Sequence, residues 1–130
     1  MEGAVTVESY LWVMLGSALG GVGRYGCAVL AVRHLGESFP WGTLGVNILG
    51  SFVIGLADVA VASGGARYLL MAGLCGGYTT FSAFSLQTLN LLHEGHAARA
   101  AANVVASVAA CLVSVWLGHL AGFALGRGWL

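Results

Sequence analysis

The sequence predicts an all-α integral membrane protein of four transmembrane helices, with the third helix broken midway. Three observations carry that expectation. Hydrophobic residues make up 58% of the chain and charged residues 8%, and mean hydropathy is +0.88, well outside ordinary soluble composition. At 130 residues there is room for four spans of about 20 residues and little else. Finally, the segment from Gly73 to Ser85 sets Gly76-Gly77 and Thr79-Thr80 in the middle of an apolar run, and both pairs weaken helix propensity. Unwound backbone at membrane depth is tolerated only where it lines a cavity, meets another protein surface or coordinates an ion. The segment therefore predicts a broken helix with an ion site.

The chain reads as one four-span membrane domain over residues 1–130, with spans at about 10–32, 42–63, 68–92 and 100–125. Between them lie polar turns marked by Gly and Pro, at Arg33 to Pro40, Ser63 to Arg67 and His93 to His96. Strict alternation is absent, so a membrane β-barrel fits poorly. The first span is no signal peptide, because Glu2 and Glu8 stand where a cationic stretch belongs and the span is long and glycine-rich. Gly16 and Gly20, then Gly118, Gly122 and Gly126, recur at helix-contact spacing. Close packing of helices in lipid is enough to explain them.

Five arginines, no lysine and five acids leave the chain neutral, with no basic face for nucleic acid. Arg67 and Arg127 fall at span ends on one side, Arg33 and Arg99 on the other. This two-against-two count sets no positive-inside bias. Such a chain can insert both ways, and two copies can then pair antiparallel about a two-fold axis in the membrane plane. That pairing would bring two broken third helices face to face.

Several polar residues sit inside the spans and need partners. Asn47 lies in the second span, where a side-chain amide is expensive unless paired. Thr80, Ser82 and Ser85 are interleaved with Phe81 and Phe84, which lie three apart and share a helical face. In the fourth span Asn103, Ser107 and Cys111 recur every four residues as one polar line, with Ser114 beside it. Serine and threonine in membrane helices also bond their own i−4 carbonyls, which would absorb any one of these hydroxyls. Arg24 is the single arginine deep inside a span, a functional-site hypothesis by default, with snorkelling to the headgroups as the other reading. Asp58, near the end of the second span, reads as an interface residue. Cys27, Cys75 and Cys111 lack metal-ligand or disulfide spacing, and the His93-Glu94-His96 turn reads as a polar interfacial turn. No nucleophile, base and acid set is present, so catalysis has no support.

The segments Trp41-Gly-Thr-Leu-Gly-Val-Asn47-Ile-Leu-Gly-Ser-Phe52 and Gly76-Gly-Tyr-Thr-Thr-Phe-Ser-Ala-Phe-Ser85 resemble the Fluc (CrcB) family of small fluoride channels. Arg24 in Gly23-Arg24-Tyr25 and Asn103 in Ala102-Asn103-Val104 fall in register with them, so the likeness spans essentially the whole chain. The resemblance implies a dual-topology, antiparallel homodimer in the cell (inner) membrane that passes fluoride passively, with a structural sodium ion at its centre. By register, the backbone carbonyls of Gly76 and Thr79 would hold the sodium. Phe81 and Phe84 would line the fluoride path, turning their positive ring edges to the anion. Hydrogen-bond donors must share that task, from Asn47, Thr80, Ser82, Asn103 and Ser107. Arg24 would sit near an aqueous vestibule and attract anions.

The chain departs from the family pattern at three positions. Gln87 stands where the family often has glutamate, keeping donors and acceptors without the charge. Cys111 and Val115 replace positions that often carry hydroxyls. A small dual-topology multidrug transporter would share the length and charge balance, yet it needs a membrane carboxylate, and the first span has none between Glu8 and Glu37. A non-transporting accessory subunit would account for the glycines but not for the polar line or the Thr-Thr-Phe motif.

Overall fold

A computed structural model describes residues 5–127, with side chains through residue 126; Glu2 and the Arg127 side chain lie outside the described residues. The elements run α1 (Val7–Leu35), α2 (Trp41–Ala60), α3 (Gly65–Arg67), a π-helical stretch (Tyr68–Cys75), α4 (Gly76–Tyr78), α5 (Phe81–His93) and α6 (Ala97–Arg127). Elements α3 to α5 form one interrupted span, so among the described residues four helical segments are long and apolar enough to cross a membrane. The chain is thus a multi-pass, all-α membrane protein whose third span bends midway.

Local chemistry sets the ends of these helices. Thr6 caps α1 through a reciprocal capping box with Ser9. Gly36 and Gly95, at φ 78° and 81°, turn the chain after α1 and α5 through a region that side chains disfavour. Pro40 precedes the first residue of α2, where its missing N–H costs nothing. Past the end of α2, Arg67 donates to the carbonyls of Asp58 (3.2 Å) and Val61 (2.8 Å) and pairs with the Asp58 carboxylate at 2.6 Å. Asp58, expected at an interface, thus has a partner within the chain. A cation on the last carbonyls of a helix is favourable.

Two glycine seams hold the bundle. The helix α2 packs along α6, and α1 packs along the first half of the third span. In the first seam, a Cβ on Gly55 would fall on the Val115 carbonyl oxygen and one on Gly118 on the Phe52 carbonyl oxygen. In the second, Gly16 and Gly20 lie against the Leu69 and Leu74 carbonyl oxygens, and a Cβ on Gly77 would come within 2.6 Å of the Ser17 oxygen. Backbones approach this closely only where side chains are absent. Gly126 continues the spacing but, among the described residues, meets nothing within 4 Å. Between the two seams, large apolar side chains point outward, as Leu11, Leu19, Val105, Leu112 and Trp116 do. In lipid such an exterior is the expected arrangement.

The third span departs from the expectation in one respect. Gly76 and Gly77 do not unwind; Gly76 has φ −62° and ψ −39°, ordinary helical values. The helix opens two residues later, at Thr79 (φ −79°, ψ 156°) and Thr80 (φ −151°, ψ 114°), both extended. β-branched residues favour that conformation. Glycine at position 77 is required by the approach of Ser17, not by a special dihedral. Upstream, the underwound register of Tyr68–Cys75 places a π-helical stretch directly before the break, a feature common at functional sites that has no signature in the sequence.

Candidate functional site at the helix break

The break is held from both sides. On α2, the Asn47 carboxamide grips the peptide of Thr80 with both ends: Nδ2 donates to the Thr80 carbonyl (3.1 Å) and Oδ1 accepts from the Thr80 N–H (2.8 Å). On α1, Arg24 Nε donates to the Gly77 carbonyl at 3.2 Å, placing a cation at the C-terminal end of α4, where the helix dipole favours it. Tyr78 fills the angle between them, its hydroxyl 3.3 Å from Cys27 Sγ.

These bonds redirect the carbonyls at the break. In a continuous helix the Thr80 N–H would donate to Gly76 and the Ala83 N–H to Thr79. Here the first goes to Asn47 Oδ1 and the second to Thr80 Oγ1 at 3.2 Å, the N-cap bond of α5. The carbonyls of Gly76 and Thr79 therefore lose their helical donors, and both residues line the same open groove. The Thr79 hydroxyl bonds back to Cys75 O (2.9 Å) and the Ser85 hydroxyl to Phe81 O (2.9 Å), which absorbs those two hydroxyls into the backbone.

The groove, about 420 Å³, is lined by Asn47, Gly76, Thr79, Thr80, Phe81, Phe84 and Ser107, with Cys111 beyond them. Within it the phenylalanine pair behaves unequally. Phe84 is 9% exposed and wedged in the protomer, while Phe81 is 77% exposed and projects away from it. Their rings still touch, centroids 5.2 Å apart and planes inclined at 48°, a tilted pair within the usual range of aromatic contact distances.

Four expected residues lie outside the groove. Ser82 is exposed, its hydroxyl 3.3 Å from Thr80 Oγ1. Arg24 sits behind the break on α1, at the Gly77 carbonyl. Asn103 is 1% exposed and reaches the groove only through Ser107, whose hydroxyl donates to Asn103 Oδ1 at 3.4 Å. Gln87 lines a second cavity of about 390 Å³ beside Glu37, Trp41, Thr43, Asn90 and Glu94, where its buried Oε1 has no hydrogen-bond partner. Ser114, beside the polar line, donates to the Ile48 carbonyl at 2.7 Å and ties α6 to α2.

One residue of the polar network escaped the sequence reading. Thr88 donates to Phe84 O (2.8 Å) and accepts from Asn103 Nδ2 (2.9 Å). Its position four residues after Phe84 puts it on the same helical face, the one signal that could have exposed it. Taken together, the site offers backbone carbonyls on one strand of the break and amide, hydroxyl and ring-edge donors along α2, α5 and α6. Hard cations suit the first set and a small anion the second.

Comparison with known proteins covers most of the chain. The family described as CrcB-like protein, Camphor Resistance (CrcB) matches residues 11–119. A protein of Opitutus terrae named fluoride-specific ion channel FluC is 52% identical over 123 residues, covering 89% of this chain and 93% of that protein. Proteins of the same name from Methylocella silvestris and Rhodospirillum rubrum are 46% and 49% identical, covering 91% and 92% of this chain and 95% and 98% of their own lengths. With the break, the Asn47 grip and the polar line all within the matched residues, the chain belongs to the CrcB family.

Proposed function

We propose that the chain is a passive, fluoride-selective channel of the cell membrane, working as an antiparallel dual-topology homodimer. The observation that carries this reading is the groove at the break, which gathers Asn47, Thr80, Phe81, Phe84 and Ser107 in one place. Fluoride is small and strongly hydrated, so a selective path needs close donors in a space too narrow for larger halides. Amide and hydroxyl donors and phenyl edges meet that need. The names of the relatives point the same way.

The dimer reading draws on two features. The groove is open on a face where Phe81 projects almost fully exposed, and a second copy would complete its walls. The balanced arginines leave insertion unbiased. Added lysines after Ser63 should then bias insertion and lower activity when that variant is expressed alone. Labelling that finds one orientation for the native chain would overturn the dual topology.

A structural sodium ion fits the donor set at the break. The carbonyls of Gly76 and Thr79, released from helical bonding, are hard neutral oxygens of the kind that coordinate Na⁺ at broken membrane helices. Bound there, the ion would supply fixed positive charge between the halves of the assembly. The chain's own residues do the remaining work: Asn47 and Arg24 hold the break open, and the donors along α5 and α6 replace fluoride's hydration. Gln87 and Arg24, outside the groove, are assigned to the approaches of the path.

The deciding experiment is ion efflux from liposomes holding only the purified chain, with fluoride and chloride measured side by side. Fast fluoride loss with chloride retained is the expected result. Equal loss of both anions, or loss of neither, would refute the proposal.

A further inference from the structure

We propose that Thr88 is the positioning residue of the polar line on α6, fixing the orientation of the Asn103 carboxamide and, through it, that of the Ser107 hydroxyl at the groove. The inference rests on the channel reading and adds a residue to it. Its basis is a directional chain of hydrogen bonds. The Phe84 carbonyl can only accept, so the Thr88 hydroxyl proton must point to it at 2.8 Å. Toward α6, Thr88 can then offer only a lone pair. Asn103 must answer with its Nδ2 end, at 2.9 Å. Its Oδ1 end is thereby turned to Ser107, which donates at 3.4 Å. One backbone carbonyl, on the residue whose ring lines the groove, thus sets the polarity of three side chains on two helices.

That polarity matters for an anion. A carboxamide is a donor at one end and an acceptor at the other, and only the donor end attracts fluoride. With the amide held as observed, its oxygen end faces Ser107 and keeps that hydroxyl a donor. The Ser107 hydroxyl, at a long 3.4 Å, can readily leave Asn103 for a stronger acceptor in the groove. Without the Thr88 hydroxyl, the amide is free to turn its N–H end to Ser107, whose hydroxyl can then accept as easily as donate. The 1% exposure of Asn103 denies it the bulk water that would otherwise blur the choice. Among the described residues, the Asn103–Thr88 bond is also the one side-chain hydrogen bond joining α5 to α6.

The test compares fluoride efflux from proteoliposomes for the native chain, Thr88→Val, Thr88→Ser, Asn103→Ala and the Thr88→Val/Asn103→Ala pair, each checked for native assembly by size exclusion. Valine keeps the shape and removes the hydroxyl, whereas serine keeps the hydroxyl. Thr88→Val should slow efflux about tenfold, the scale of one charge-assisted hydrogen bond, and Thr88→Ser should stay within about twofold of native. Because Thr88 acts through Asn103, the double variant should be no slower than Asn103→Ala alone. A purely structural Thr88 would instead slow both backgrounds by the same factor. Native efflux in Thr88→Val, or effects that multiply in the double variant, would overturn the assignment. If Thr88→Val does not assemble, Thr88→Ala takes its place in the same cycle. A native chain that passes no fluoride would instead strike at the channel reading itself.

Discussion

Helix α6 meets its neighbours in two unlike ways. Against α2 it closes backbone to backbone, with Gly55 on the Val115 carbonyl and Gly118 on the Phe52 carbonyl. Against α5 it meets Thr88 through Asn103. The first seam is a fit of shapes, which in lipid substitutes for the hydrophobic drive available in water. The second is a matter of hydrogen-bond direction, which a volume-conserving change can reverse without unfolding anything. Stability and permeation are thus assigned to different stretches of one helix, and substitutions should separate them.

The largest effect should come from the glycine seam. Gly118→Leu drives a side chain into the backbone of α2, an overpacking of about 3 kcal/mol or more. Loss of monodisperse protein on size exclusion, or a large fall in denaturation midpoint, is the expected outcome. A variant as stable as the native chain would show that the seam is looser than described. Next comes the grip on the break. Asn47→Leu removes both partners of the Thr80 peptide, at about 1–3 kcal/mol for each group left unpaired. Fluoride efflux should fall more than tenfold together with stability, because the same amide holds the break and offers a donor.

The phenylalanines sharpen the contrast further. Phe81→Ile and Phe84→Ile each remove a positive ring edge and should slow fluoride efflux. Only Phe84→Ile should also lower protomer stability, by about 1 kcal/mol, since Phe84 is 9% exposed and Phe81 77%. Full efflux in both variants would place the path elsewhere. The smallest effect is expected at Thr79→Ser. The hydroxyl bond to Cys75 O is kept and the carbonyl is unchanged, so only the methyl facing Gly50 is lost. A stability change within about 1 kcal/mol and near-native efflux are expected; a collapse of either would mean that the side chain matters more than the backbone.

Much of the architecture was readable in the sequence. Composition and Gly/Pro punctuation located four spans, because lipid demands about 20 apolar residues in each. The Gly-Gly and Thr-Thr pairs pointed to an interruption within a few residues of its place. Asn47, Thr80 and Ser107 were named from residue type and spacing, and Phe81 and Phe84 from the family resemblance; the structure brings all five to one groove. The exact opening of the helix was not readable, since a pair of glycines and a pair of threonines are both weak helix formers. The choice between them fell to Asn47, thirty-three positions away in the chain.

By itself, then, the sequence determined the all-α membrane class, the order of the spans, the glycine faces and the set of polar residues that had to find partners. These follow from local rules, in which hydropathy and periodicity act over one or two helical turns. Tertiary structure alone decided which partner each residue found. It joined Asn47 to the Thr80 peptide, Arg24 to the Gly77 carbonyl and Arg67 to Asp58, gave Phe81 and Phe84 opposite exposures, and drew Thr88 into the polar line. The physical reason is that a buried donor or acceptor in a membrane must be satisfied by whichever group the packing brings within about 3 Å. Spacing along one helix says which face a residue occupies. What stands across from that face depends on how the other helices pack.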